Sequence, residues 1–432
     1  MEHAAISVPL VLCVPFLALL LAIAIMPLAA EHFWDKNRHK LAVAVILSIP
    51  VVLVLLLGGG GARIFESLVY DYVPFMVLLG SLFIITGGIH LGGDIEAKPL
   101  VNTLFLGIGA VLASIMGTTG AAMLLIRPVL HANRERTLKV HTVLFFIAIV
   151  ANCGGLLTPL GDPPLFMMYL RGAPFTWFLK LFPEWLFVNG LLLILYFLVD
   201  TYYHRREPDE AVRRDHAAVV PLHLKGGLNF VWLAGVVAAV ALLNGQVVPV
   251  LGSSPGLRFV REGTIVLMAL AAWFTTRHSV RVSNRFSWHP ILEVAALFLG
   301  IFVTMVPCLI YLEAHAKVLG VRLPHEFYYA AGTLSSFLDN TPTAVTFHSL
   351  ALGLGGAAGV LIAGIPPALL KAIAMGSVFF GSMTYIGNGP NFMVKSIAGH
   401  YHIRMPHFFG YMIKFSLIVL LPVYILTQIL FL

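Results

Sequence analysis

Charge is scarce in this chain of 432 residues: 11% is Asp, Glu, Lys or Arg, while 59% is hydrophobic. A soluble domain carries about 25% charged residues. The deficit excludes a cytosolic enzyme, a disordered chain and a nucleic-acid-binding module, because nothing soluble keeps so much apolar surface from water. Cysteine is nearly absent. Cys13, Cys153 and Cys308 lie in apolar runs without CxxC spacing, so they read as small buried residues rather than a disulfide framework. The 17 histidines include no HExxH or paired-ligand spacing, and Gly58-Gly59-Gly60-Gly61 has no Lys-Ser/Thr sequel. Neither a zinc motif nor a nucleotide loop is present. No basic residue precedes the first apolar run, which is longer than the ~7–15 residues of a secretion-signal core. A retained membrane helix is expected there.

What the chain has is long apolar runs. A spanning helix needs about 20 mostly apolar residues. Ten stretches qualify: 6–30, 40–58, 72–91, 140–157, 175–199, 228–250, 263–276, 290–312, 366–383 and 406–431. The stretch 263–276 is short and is expected to extend. Two more, 101–130 and 326–352, are broken in the middle by Gly117-Thr118-Thr119-Gly120 and Asp339-Asn340-Thr341-Pro342-Thr343. Both read as helical hairpins that enter the membrane and leave on the same side. Irregular backbone at that depth is tolerated only where protein or a water-filled cavity covers it.

Charge placement supports the hairpins independently. The net charge is +7. With ten spans and two hairpins, the loops near 31–40, 92–100, 127–139, 201–225, 277–289 and 399–407 share one side. They hold most of the 27 Lys and Arg residues, as cytoplasmic loops do. A single crossing at 101–130 would put the basic stretch 131–139 on the other side.

The sequence also repeats. Gly155, Thr158, Gly161, Pro164, Phe166 and Met167 recur as Gly381, Thr384, Gly387, Pro390, Phe392 and Met393 at one constant offset. The hairpin breaks correspond at nearly the same offset. The expected organisation is a first repeat, 1–205, with a hairpin at 101–130 and a broken helix at 140–172. A cytoplasmic linker, 206–225, leads to a second repeat, 226–432, with a hairpin at 326–352 and a broken helix at 366–398. Each half holds five crossings, an odd number, so the second must be inverted relative to the first. The expected fold is an all-α polytopic membrane protein of two inverted repeats, a construction of secondary transporters.

Four interruptions should converge: the two hairpin tips and the unwound stretches 158–164 and 384–391. Pro159, Pro163 and Pro164 cannot continue a helix. Half-helix dipoles and free carbonyls then point at one spot, which suits an ion or small anion. Two carboxylates fall in the breaks, Asp162 and Asp339. A charge at the bilayer centre costs at least ~2.5–3.5 kcal/mol, so each is expected to bind a cation or a proton. Asn340, Thr341 and Thr343 would complete an oxygen shell around Asp339. Thr158 and Asn152 would do so around Asp162, with Gly161, Thr118, Thr119, Asn388 and Asn391 nearby. As an alternative, each Asp caps a half-helix N-terminus. Glu293 opens a span and reads as proton-linked or as a first-turn acid. Glu184 reads as interfacial beside Trp185. Arg171 and Lys395, a turn past the two breaks, either pair with the Asp residues or snorkel.

Three segments resemble the ion transporter superfamily, in its NhaD-type sodium/proton antiporter and citrate-transporter-like branch. They are Ala151-Asn152-Cys153-Gly154-Gly155-Leu156-Leu157-Thr158-Pro159-Leu160-Gly161-Asp162-Pro163-Pro164, Ser336-Phe337-Leu338-Asp339-Asn340-Thr341-Pro342-Thr343 and Tyr385-Ile386-Gly387-Asn388-Gly389-Pro390-Asn391. The stretch 293–302 is similar to that branch as well. The resemblance covers nearly the whole chain and implies a dimer in which a transport part moves against a fixed scaffold. Dicarboxylate carriers of the superfamily have Ser-Asn-Thr at the hairpin tips. Here the tips read Gly-Thr-Thr and Asp-Asn-Thr, and an Asp at a tip repels an anionic substrate.

The expectation is therefore exchange of Na⁺ for H⁺ across a bacterial inner membrane, with Asp162 and Asp339 taking either ion in competition. An all-oxygen site favours Na⁺. No cofactor is expected, since sodium is cargo, and the partners are lipid, Na⁺, H⁺ and a second copy of the chain. The alternative is a carrier of citrate or a dicarboxylate, with helix N-termini facing the carboxylates. An intramembrane Asp dyad enzyme fits the prolines and the repeat less well.

Overall fold

The computed structural model describes residues 8–217, 219–253, 256–355 and 359–432. Among these, eight segments are long and apolar enough to cross a membrane: Leu10–Pro27, Asn37–Leu57, Gly61–Thr86, Pro99–Met116, Val140–Leu157, Phe175–His204, His289–His315 and Phe408–Phe431. Shorter apolar helices run Asn229–Leu242 and Pro367–Met383, and another runs Val260–Thr275. The chain is an all-α polytopic membrane protein, with one small two-stranded sheet among the described residues.

Boundaries moved where local chemistry intervened. Residues 6 and 7 of the first expected span lie outside the described residues. The stretch expected at 72–91 begins at Gly61, passes through a π-helical turn at Ser67–Tyr72 and stops at Thr86. Gly87 and Gly88 follow, and His90–Asp94 is a strand. The stretch at 228–250 ends at Leu242 because Asn244 Oδ1 takes the backbone N–H groups of Gln246 and Val247 at 3.0 and 3.1 Å. That side chain competes with helix continuation.

Burial sorts the helices. The Val140–Leu157 segment is 83% buried and Asn37–Leu57 only 22%. In the latter, Leu41, Val45, Ile46, Ile49 and Leu53 face outward. Such a surface needs hydrocarbon around it, where a helix satisfies its own backbone. The first broken helix therefore lies in the interior and Asn37–Leu57 at the rim.

The first hairpin is Pro99–Met116 and Thr118–Ala132, hinged at Gly117. Asn102 near its start and Asn133 after its end exchange amide hydrogen bonds of 3.0 and 2.9 Å. Both arms thus return to the same side. Gly117 has φ +83°, a conformation that favours glycine. The second hairpin is Pro324–Phe337 and Asn340–Leu354. Arg322 before it bonds Lys317 O at 3.1 Å, and Gly353 near its end packs against Glu313. Its ends also meet at one place.

The two broken helices follow the same local path. Val140–Ile149 leads to a 3₁₀ turn at Cys153–Leu157, extended backbone at Thr158, and a new helix at Pro163–Leu170. Pro367–Phe380 leads to a 3₁₀ turn at Gly381–Met383, extended backbone at Thr384, and a new helix at Gly389–His400. Asp162 and Asn388, the residues before the second helices, have φ, ψ of −142°, 141° and −146°, 142°. Thr158 Oγ1 donates to Ser114 O and Thr384 Oγ1 to Ser336 O, so each break is tied to a hairpin arm.

The segment expected as a charged linker is folded. It carries the helix Asp209–Ala217 and the strand Val220–Lys225, which pairs antiparallel with His90–Asp94, His90 opposite Lys225. The basic loops share this face. Asn37 bonds His289 O, Asn284 bonds Gly87 O and Ile89 O, and Asp94 lies 3.6 Å from His131 and 3.4 Å from Arg134. At the same end Asp200 is fully buried and takes Arg136 Nη1 and His141 Nε2 at 2.7 Å each, plus Asn102 at 3.2 Å. Removing one partner strands a buried charge, so Asp200→Ala is expected to lower stability by about 3–5 kcal/mol. Thermal unfolding of detergent-solubilised protein measures this; an unchanged midpoint contradicts it.

Candidate functional site

Asp162 is completely buried. It ends the first unwound stretch and stands at the N-terminus of Pro163–Leu170. Its Oδ1 accepts from Thr118 Oγ1 at 2.8 Å and from Asn388 Nδ2 at 3.3 Å. Its Oδ2 accepts from Asn340 Nδ2 at 2.8 Å. Thr118 opens one hairpin's second arm, Asn340 opens the other's, and Asn388 precedes the second broken helix's outer half. All four interruptions thus meet at one carboxylate. The positive ends of four helices surround it.

The three donors are neutral. Among the described residues no Lys, Arg or His pairs with Asp162. Burying an ionised carboxylate without a counter-charge is costly even when it is hydrogen-bonded. A proton or a bound cation removes that cost. Neutral amide and hydroxyl donors support the carboxylate without competing for this role.

A second layer fixes the first. Ser335 Oγ lies 2.6 Å from Asn340 Oδ1, so the Asn340 amide turns its Nδ2 toward Asp162. Asn152 Nδ2 donates to Ile147 O and Asn391 Oδ1 at 2.8 and 2.7 Å. Its Oδ1 receives Asn388 Nδ2 at 3.2 Å. Asn391 Nδ2 donates to Gly381 O and Thr384 O at 2.7 and 2.9 Å. Asn152 and Asn391 are therefore braces between the two breaks. Gly161 O accepts the Thr118 backbone N–H at 2.8 Å, which ties the first hairpin tip to the first break. Thr158 points at Ser114 O and serves the same end.

Asp339 takes a different place from Asp162. It is half-buried, and its Oδ1 accepts from Thr341 N at 3.0 Å, an N-cap of Asn340–Leu354. Thr343 Oγ1 donates to Asp339 O at 3.0 Å and is spent on its own helix. Among the described residues Thr341 Oγ1 is buried and meets no hydrogen-bond partner of good geometry. Because Asn also caps well, Asp339→Asn is expected to leave stability within a few tenths of a kcal/mol. Asp339→Ala should cost about 1 kcal/mol. Equal melting temperatures for the two variants would contradict the cap.

A cleft of about 90 Å³ opens beside the cluster, lined by Thr86, Thr118, Thr119, Gly161, Pro163 and Pro290 among others. It separates the first hairpin tip from the helices Val73–Thr86 and His289–His315. Four other expected residues are engaged elsewhere. Glu293 forms a 2.6 Å ion pair with Lys40, and Glu184 a 2.7 Å pair with Lys371. Arg171 reaches His348 and Ser349 at 3.3 and 3.2 Å and lies 4.0 Å from Asp71. Lys395 lies over the Tyr385 ring at 4.5 Å.

Ser335 was not singled out from the sequence. The signal was present, since Ser335-Ser336 precedes the second break and Ser114 precedes the first. Among the described residues no group of three or more His, Cys, Asp or Glu forms a metal cluster. Asp162 and Thr118 bring hard oxygens together, donors that suit hard cations rather than soft metals. A family described as "Putative citrate transport" matches residues 5–432. No curated protein matches the chain.

Proposed function

The chain belongs to that citrate-transport family, a family of transporters, and from this premise we propose that it is a secondary transporter exchanging Na⁺ for H⁺ at Asp162. The observation that carries the proposal is the enclosed carboxylate held only by neutral donors. Either ion neutralises it, and both cannot occupy it together, so competition couples the two fluxes. Thr118 Oγ1, Thr341 Oγ1 and backbone carbonyls of the breaks supply further oxygens for Na⁺.

The rest of the proposal concerns how the ion moves. The two halves are read as inverted repeats, on the strength of the matched breaks and their matched ties to the hairpins. The hairpins and broken helices form the moving part. Val73–Thr86 and His289–His315 stand across the cleft as part of a fixed scaffold in an elevator-like displacement. A dimer in a bacterial inner membrane is the natural setting for such a scaffold.

A second reading is carriage of citrate or a related carboxylate together with the cation. The family's description favours it, and so do four helix N-termini at one place, which suit an anion. The engagement of Arg171 and Lys395 away from Asp162 favours the exchange reading.

Purified protein in liposomes separates the two. Under an outward sodium gradient, an internal pH dye is expected to report acidification without citrate, because protons enter as sodium leaves. Citrate uptake with no sodium-driven pH change in its absence would replace exchange by the carboxylate reading. Exchange should also slow in acid, where protons displace Na⁺ from the shared carboxylate.

A further inference from the structure

Segments far apart in the sequence line a second, open cavity, of about 570 Å³, on the face that gathers the basic loops. Arg127 and His131 come from the end of the first hairpin, Arg285 from the loop before His289–His315, and His400 from the end of the second broken helix. His90 and His223 come from the two strands. Among the described residues no Asp or Glu lines this space.

Arg127 is half-buried, and Arg285 is exposed with a backbone φ of +50°. They are close enough to act on each other electrostatically. Neither guanidinium makes a hydrogen bond or ion pair among the described residues. The nearby Asp94 is taken by His131 and Arg134. Two unpaired like charges sharing a cavity repel, and the cheapest relief is an anion between them. The imidazoles are also placed for this. Asn284 spends its Nδ2 on Gly87 O and Ile89 O, so its Oδ1 accepts from His90 Nδ1 at 2.7 Å. His90 Nε2 borders the cavity and donates to an anion only from the imidazolium form. Gly92 gives it and His223 Nε2 room, since a Cβ there would lie 3.3 and 2.5 Å from them.

We infer that this cavity binds an oxyanion, a phosphate or carboxylate group, between Arg127 and Arg285. It is distinct from the Asp162 cluster. Arg127 lies nine residues beyond Thr118 on one helix, about 13 Å along its axis. Because the lining joins both strands, a hairpin end, a loop and a broken-helix end, an occupant ties these together and stabilises this arrangement. The group has two possible sources, an anion from solution or a phospholipid headgroup at the membrane surface, and its recognition is the same for both.

The test uses the full chain, purified in detergent and stripped of lipid. Its melting temperature is followed against inorganic phosphate, with chloride at equal ionic strength as control, and against phosphatidylglycerol in mixed micelles. At least one of the two is expected to raise the midpoint. The apparent affinity should fall about tenfold in Arg127→Gln and in Arg285→Gln, and stay unchanged in Asp162→Asn. A phosphate effect without a lipid effect identifies a solution anion. A lipid effect alone identifies a headgroup, and both support the site. No shift with either, or a shift that survives Arg127→Gln/Arg285→Gln or disappears in Asp162→Asn, overturns it. If a Gln variant does not fold, Arg127→Lys keeps the charge but loses the two-pronged contact, and should weaken binding severalfold.

Discussion

Asp162→Asn is expected to bring sodium-driven proton movement in liposomes down to the level of protein-free vesicles, a loss of at least about 100-fold, while the protein still folds. The substitution is nearly isosteric. Thr118 and Asn388 can still donate to the remaining oxygen, but the amide nitrogen that replaces Oδ2 faces the Asn340 Nδ2 that donates there now. One donor–donor contact costs on the order of 1–3 kcal/mol. Removing a buried charge offsets part of that, so the melting temperature should move little. What disappears is the enclosed carboxylate, and with it both the proton site and the attraction for Na⁺. Asp339→Asn should lose less, because its carboxylate is committed to a helix cap. Full exchange in purified Asp162→Asn would end the assignment.

Gly161→Ala is expected to prevent assembly of the site or to lower the melting temperature more than any single side-chain truncation in the lipid-facing rim. A Cβ at Gly161 would lie 2.0 Å from the Gly155 carbonyl oxygen. Both atoms belong to the backbone of one tight excursion, so no flexible side chain can yield. The same loop supplies the Gly161 carbonyl that accepts from Thr118 N. Relief of the overlap therefore pulls the hairpin tip off the break. Changes of this type exceed the usual 0.5–3 kcal/mol of a point substitution. Gly80→Ala is the matched control. Gly80 sits inside Val73–Thr86 with nothing within 4 Å of an added Cβ, and the change should be neutral or gain up to about 1 kcal/mol. Comparable melting temperatures for the two variants would contradict the packing at Gly161.

Much of the site was legible because broken helices leave marks. Gly117, the Pro163-Pro164 pair and Gly387-Asn388-Gly389-Pro390 cannot continue a helix, and a carboxylate in such a break is expensive enough to be conspicuous. Thr118, Asn340 and Asn388 were named from that logic and all three touch Asp162. The two Asp residues looked equivalent in the sequence and are not. Which of them is enclosed depends on the facing segment, and no local pattern carries that information. Glu293 read from the sequence as proton-linked or as a first-turn acid, and Glu184 as interfacial. Each has a lysine partner, Lys40 and Lys371, distant in the chain. The strand Val220–Lys225 escaped notice because it is short and contains Pro221, and because its partner, Gly-rich His90–Asp94, belongs to the other side of the first hairpin.

Hydropathy runs, breaks and the placement of basic residues determine by themselves that this chain crosses a membrane many times and breaks two of its apolar stretches into hairpins. Those properties follow from transfer of side chains and backbone groups into hydrocarbon, a cost summed residue by residue along a segment. Only the tertiary structure decided that the four interruptions share Asp162, that Asp339 caps a helix, and that Arg127 and Arg285 face one cavity. A hydrogen bond or an unpaired charge is a relation between atoms a few ångströms apart, and the segments that supply them here are separated by up to hundreds of residues.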